Sequence, residues 1–396
     1  MLPFGLLLAC MAALPLQGPA WWEKHYAKVA LSCAAVTVGY YVFFLPPAAL
    51  QTVRHTAQDY AGFIILIGSL YIVSGGIHLR LSGSRTPGWN TLFLALGGLA
   101  SNLLGTTGAS MLLIRPWLQI NGSRMAAHHV VFFIFIVSNV GGGLTPMGDP
   151  PLLVGFLEGV PFWWVARHCW PMWLVSMMFL LAVFYFIDRR HGARSVQSDL
   201  SRGYDYFLAG WWNLSFLGVI AASVVIPMPP LLREGIMVLA ATASYFLTGR
   251  RVYEANEFSF RPIIEVAVLF LGIFATLMPA LDRLRSVGGN LTAGRVYWSA
   301  GMLSAFLDSA PAYLAFFAAV TGHGANALPT KLVAALSVGT VVFGAVTYIG
   351  NGPNFMVKFI ADHRAVPAPS FLAYLFKWAV PVMLPLLILL WLIFFR

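Results

Sequence analysis

Charged residues are scarce in this sequence. Lys, Arg, Asp and Glu supply 10% of its 396 positions, where an ordinary soluble domain carries roughly 25%, so a soluble globular class is excluded. Cysteine is scarcer still. Cys10, Cys33 and Cys169 lie in or beside apolar runs at no metal-ligand spacing, which leaves buried free thiols. Asp and Glu number 14 against 24 Lys and Arg, yet the basic excess sits in short loops and forms no stripe. Nucleic acid is therefore not an expected partner, and the charge reads as membrane topology. What remains is apolar: 59% hydrophobic residues and a mean hydropathy of +0.78, in runs of the roughly 20 residues that cross a hydrocarbon core. The expected class is an all-α polytopic membrane protein in contact with membrane lipid.

Spans are expected near 3–16, 29–49 and 60–78, followed by a polar-centred stretch 90–118, a broken span 129–156 and a span 169–187. After a polar loop, 188–205, the order returns as 207–226, 231–248, 262–281, a polar-centred 296–320, a broken 333–360 and 371–395. The chain thus reads as two repeats, 1–200 and 201–396. The first twenty residues are short and apolar like a signal sequence but lack a basic start, and their counterpart 207–226 is internal. A retained first helix is expected.

Three anchors hold nearly one offset. Thr145-Pro146-Met147-Gly148-Asp149-Pro150-Pro151 and Thr347-Tyr348-Ile349-Gly350-Asn351-Gly352-Pro353 share Thr-x-x-Gly-(Asp or Asn)-x-Pro at a separation of 202; Gly98 to Ser101 matches Gly301 to Ser304 at 203; Gly68 matches Gly272 at 204. The stretches 90–118 and 296–320 are too long for one upright span and have polar centres, Ser101 to Ser110 and Leu307-Asp308-Ser309-Ala310-Pro311. A re-entrant hairpin fits each, with arms of about ten residues or roughly 15 Å. If neither hairpin crosses, each half makes five crossings and the two halves are inverted, the arrangement that supports alternating access. Basic residues are then commoner on the face of Lys24, Arg80, Arg85, Arg124, Arg194, Arg202 and Arg364 than on that of Arg54, Arg167, Arg233 and Lys331. This places the first face in the cytoplasm and both termini outside a plasma (inner) membrane.

Asp149 is the sharpest single residue, because a carboxylate at the centre of a span costs roughly 2.5 to 3.5 kcal/mol on insertion scales unless ligated or protonated. Ser138, Asn139 and Thr145, with the glycines between them, offer the oxygen ligands that a hard cation such as sodium takes. The plainer role for Asp149 is to cap the half-helix begun by Pro150. Asp308 is the second intramembrane carboxylate, at the tip of the second hairpin, where it also suits a turn cap. Its counterpart is Gly105, and that of Asp149 is Asn351, so the site is expected to be asymmetric. Thr347, Asn351 and Asn354 would complete the cation ligands. An anion would instead use hairpin-tip amides with Thr106, Thr107, Ser304 and Asn354. Arg115 and Lys358 are the nearest cations, and Lys358 is expected to pair with Asp362 one turn on. Glu265 reads as an interfacial charge. His128 and His129, as neighbours, are expected to face different sides of a helix, which makes a weak metal site. An intramembrane aspartyl protease would need Gly-x-Gly-Asp, and Pro146 stands where its first Gly belongs; no enzyme is expected.

The segment Ser138 to Pro151, with Gly105-Thr106-Thr107-Gly108-Ala109-Ser110 and Arg261-Pro262-Ile263-Ile264-Glu265-Val266, resembles the ion transporter superfamily, most closely the NhaD-like sodium/proton antiporters and the related citrate-transporter group. The resemblance implies two scaffold regions, two hairpins, two broken helices, sodium near the hairpin tips, a homodimer and an elevator-like movement. Dicarboxylate members carry Ser-Asn-Thr at both tips, whereas this chain has Ser101-Asn102-Leu103 in one half only. Asp308 with Pro311 is similar to the Asp-x-x-Pro signature of antiporter-like members. Sodium/proton antiport is therefore the expected function, with no cofactor beyond the sodium ion and proton; a sodium- or proton-coupled citrate or dicarboxylate transporter is the alternative.

Overall fold

The computed structural model describes residues 2–82, 86–192, 205–226, 228–286, 291–321, 328–364 and 366–396, and statements of absence below refer to these residues. The boundary between the two expected repeats, with Arg85, Arg194 and Arg202, lies outside them. The protein is a mostly helical, multi-pass membrane protein. Six helices are long and apolar enough to cross a membrane, at 24–43, 49–75, 87–121, 164–191, 261–279 and 371–395.

The first half contains α1 (Leu2–Gln17), α2 (Pro19–Phe43), α3 (Ala49–Gly75), α4 (Pro87–Asn121), α5 (Ala127–Ile136), α6 (Pro150–Leu157) and α7 (Trp164–Gly192). The second contains α8 (Asn213–Val225), α9 (Pro230–Leu247), a short α10 (Arg250–Ala255), α11 (Arg261–Ser286), α12 (Ala293–Phe306), α13 (Ser309–Thr321), α14 (Thr330–Gly344) and α15 (Gly352–His363). A last span covers Phe371–Phe395. One departure from an all-helical reading is a two-stranded antiparallel sheet, in which His78–Ser82 (β1) pairs with Asp205–Ala209 (β2) and His78 lies opposite Ala209. Residues 207–209 therefore do not belong to the span expected at 207–226; pairing with β1 takes them instead, and the helix starts at Asn213.

α4 is two arms, 87–104 and 106–121, joined at Gly105. As one straight helix its 35 residues would be roughly 52 Å long. Instead Asn90 Nδ2 donates to Asn121 Oδ1 at 2.9 Å, so both feet of the hairpin rest at one end. The joint has φ 74 at Gly105, in the left-handed region that only glycine enters freely. In the second half the joint between α12 and α13 falls at Asp308, with φ 61.

Matching hydrogen bonds fasten each hairpin tip to a helix break. Ser101 Oγ donates to Val137 O at 2.7 Å, and Ser304 Oγ donates to Thr340 O at 2.6 Å. Thr145 Oγ1 donates to Asn102 O, and Thr347 Oγ1 to Ala305 O. Gly148 N–H and Gly350 N–H each return a bond of 3.1 Å to those threonine hydroxyls. Partners and bonds alike recur 202 to 203 residues apart.

Packing sorts the helices into two groups that cut across the halves. α1, α2, α3, α8, α9 and α11 pack on one another as an outer group, while α4 to α7 pack with α12 to α15 and the last span as an inner group. The groups meet chiefly where α3 lies on α4 and α11 lies on α13. The outer group leaves large apolar side chains exposed, among them Phe43, Leu231, Leu239 and Phe246, as a lipid-facing surface requires. The inner group buries nearly all of α5 and α14.

Candidate functional site

α5 stops at Ile136, and the backbone from 137 to 149 is irregular apart from one tight turn at Val140–Gly142 before Pro150 starts α6. Glycine and proline cause this break: Gly142 and Gly148 pass so closely that a Cβ on Gly148 would overlap Gly142 O, and proline fits a first helical position but not an interior one. The second break, between α14 and α15, ends the same way at Gly352 and Pro353. Freed backbone and polar side chains of both breaks thus face each other at the centre of the inner group.

Asp149 lies at this meeting point and is 1% exposed. Its Oδ1 accepts from Thr106 Oγ1 and from Asn351 Nδ2, each at 2.9 Å, while its Oδ2 has no partner among the described residues. It occupies the position before α6 without capping that helix through its side chain. Asn351 Nδ2 also lies 3.2 Å from Ser138 O and from Asn139 Oδ1, and Asn351 Oδ1 has no partner. Asn139 Nδ2 donates to Asn354 Oδ1 at 2.7 Å, and Asn354 Nδ2 reaches Gly344 O and Thr347 O at 2.9 Å. Five expected residues, Asp149, Thr106, Asn139, Asn351 and Asn354, therefore form one buried network.

The other expected residues make hydrogen bonds outside this network. The hydroxyls of Thr145, Thr347 and Ser304 donate to the carbonyls that hold the hairpin tips, as described above. Ser138 contributes its carbonyl to the network, and its Oγ pairs with Ser110 Oγ at 2.7 Å. Asp308 is half-buried, and its Oδ1 accepts from Ala310 N at 3.2 Å, so it caps α13. One residue outside the expected set joins the first break to the hairpin: Asn102, whose side chain ties to Gly141 O and Leu144 N–H. Ser309, next to Asp308, has a buried Oγ without a partner among the described residues. Asn102 carried a signal as a carboxamide inside an apolar arm.

Two small cavities adjoin the network. One, of about 20 Å³, is lined by Thr106, Gly148 and Asp149; the other, of about 40 Å³, by Asp308, Asn351 and Pro353. Ile67, Tyr71, Thr107 and Pro150 line both. This is room for a water molecule or a bare ion. No Lys, Arg or His is among the described residues lining either cavity. Arg115 pairs with Glu257 instead, and Lys358 Nζ lies 2.7 Å from Asp362 Oδ2. Glu265 is exposed on α11.

Residues 1–395 match the family described as "Putative citrate transport". The chain belongs to that family. No curated protein matches it significantly. Family membership and the multi-pass helical fold make it a membrane transport protein.

A second buried polar cluster in this family member corrects one expectation. His128 Nε2 and His129 Nε2 both lie 3.2 Å from Asp188 Oδ1, and their rings are 4.0 Å apart. They do not diverge, because both sit in the first turn of α5, beneath the end of α7 that carries Asp188. Arg124 Nη2 reaches the same oxygen at 2.9 Å, and Asn90 Nδ2 donates to Asp188 Oδ2 at 2.9 Å. The set has the composition of a metal site, but its bonds oppose one. Ala126 N–H donates to His129 Nδ1 at 3.1 Å, which assigns the proton of a neutral ring to Nε2 and leaves that nitrogen no lone pair for a metal. The cluster ties the foot of the hairpin to α5 and α7.

Proposed function

We propose that this protein is a secondary active transporter that exchanges sodium for protons at Asp149, and is not an enzyme. The fully buried Asp149 Oδ2, which has no protein partner among the described residues, carries the proposal: a carboxylate oxygen at this depth, beside a cavity of ionic size, is stabilised by binding a proton or a cation. Asn351 Oδ1, also unpartnered, offers a further oxygen, and Asp308 lines the neighbouring cavity. Thr106, Ser138, Asn139, Thr145, Ser304, Thr347 and Asn354 hold the loops that shape the site. The recurrence of tip-to-break bonds at one offset supports two inverted repeats, and the division into two packing groups supports an elevator-like movement. We further infer a homodimer in a plasma (inner) membrane with both termini outside the cytoplasm.

The description of the family is compatible with a second reading, in which the same carboxylates bind a coupling sodium ion or proton and the transported substrate is citrate or a dicarboxylate. Proteoliposomes separate the two. A sodium jump is expected to change the internal pH, and Asp149→Asn with Asp308→Asn should abolish the change. Exchange that survives both substitutions refutes the mechanism, and sodium-dependent citrate uptake without proton movement establishes the second reading.

A further inference from the structure

Two non-glycine residues among those described have a left-handed backbone, Asp308 and Glu257, the latter with φ 48. Such a conformation costs free energy and persists where the surroundings enforce it. At Glu257 the enforcement is visible. Its neighbour Asn256 donates through Nδ2 to Gly75 O and Ile77 O, both at 2.8 Å, and Asn256 Oδ1 meets His78 Nδ1 at 2.8 Å. Glu257 N–H donates to Glu254 O. The turn between α10 and α11 is thereby pinned to the end of α3 and belongs to the outer group.

From this fixed point the Glu257 side chain crosses to the inner group. Its Oε2 lies 3.4 Å from Arg115 Nη2 on the second arm of α4, and its Oε1 lies 3.3 Å from Arg364 Nη2 just after α15. Arg115 is almost wholly buried, with 6% of its side chain exposed, whereas Glu257 is 65% exposed. One carboxylate therefore joins the outer group to both the hairpin and the broken helix that shape the Asp149 network. Another polar contact between the groups is Arg233 of α9, which lies 5.9 Å from the ring centre of Phe156 on α6. The partner charge of Arg233 is Glu234 on its own helix, at 2.6 Å.

We propose that Glu257 is a latch: bridging Arg115 and Arg364, its carboxylate holds the inner group against the outer one in the register seen here, and its release accompanies displacement of the inner group. The latch rests on the transport reading but not on which ion or carboxylate is carried. An exposed acid paired with two arginines is strong enough to bias two arrangements and weak enough to open within a working cycle. Release leaves Arg115 to find water or the aqueous face.

The test measures distance, not transport. In full-length protein with Cys10→Ser, Cys33→Ser and Cys169→Ala, spin labels are placed at Arg251→Cys on α10 and Trp89→Cys at the start of α4, and distances are recorded by pulsed electron resonance in lipid nanodiscs. Adding Glu257→Gln is expected to raise the population of a second, displaced distance about two- to fivefold. Molar choline chloride, which screens the exposed pair without supplying sodium, should shift the protein with Glu257 intact in the same direction. Distance distributions unchanged by both treatments overturn the latch. Loss of sodium/proton exchange in the unsubstituted protein would count against the cation reading and leave this result standing.

Discussion

Asn351 donates its amide to the carboxylate of Asp149 at 2.9 Å across 202 residues of sequence. The corresponding positions of the two helix breaks thus touch, and only one of them bears a charge. Asn351→Ala removes a donor to a buried charged group, an interaction of about 1.5 to 3 kcal/mol. The apparent affinity of the site for sodium is expected to change by roughly tenfold or more, read as the sodium concentration giving half-maximal proton flux. An unchanged value would place the working ion elsewhere.

The two carboxylates separate under conservative substitution. Asn at 308 can still accept from Ala310 N–H, so Asp308→Asn keeps the cap of α13 and removes only the charge, whereas Asp308→Ala removes both. If Asp308 only caps, transport survives Asp308→Asn and falls in Asp308→Ala. If it carries charge in the cycle, both lose activity. Asp149, whose side chain caps nothing, is expected to lose activity in Asp149→Asn while keeping its thermal midpoint within a few degrees.

Close backbone approach makes Gly148 a stability position. Gly148→Ala forces a methyl onto Gly142 O and should cost about 1 to 3 kcal/mol, seen as a lower unfolding midpoint in detergent. Gly88→Ala, where nothing lies within 4 Å of the added carbon, should leave the midpoint unchanged.

Asp188 balances Arg124 inside the protein, and both are buried. Asp188→Asn leaves Arg124 without its counter-charge, and breaking a buried pair in this way costs about 3 to 5 kcal/mol. A chelator should have no effect on the midpoint of the unsubstituted protein, since the ring nitrogen that a metal would need carries a proton.

The latch has a defined pH response. Partial burial pushes the Glu257 carboxyl up, but Arg115 and Arg364 outweigh it and hold the group below its ordinary value. A lowered folded-state pKa contributes stability that is complete above the ordinary value and is lost as pH falls through the lowered one. The distance distribution defined above should therefore be constant between about pH 6 and pH 8, well above the carboxylate range, and shift only on acidification below that range.

The breaks themselves were legible because glycine, proline and a lone acid inside apolar runs have few other uses: Gly105, Asp149 and Asp308 all stand at backbone interruptions. The sheet was not legible, since β1 and β2 are five-residue segments paired across more than a hundred residues. Nor could sequence show which site residues also fasten the loops. Thr145 and Thr347 read as cation ligands, and the fold adds a second task that sequence does not show: their protons hold Asn102 O and Ala305 O. His128 and His129 misled for a local reason. Neighbours on a helix point about 100° apart, which still lets both reach a carboxylate placed between them.

The chain passes between the two packing groups after α3, after α7 and after α11. The first two passages contain β1 and β2, which are hydrogen-bonded to each other from His78–Ala209 to Ser82–Asp205. Any displacement of one group against the other would therefore act on both passages at once, because the ribbon joins them.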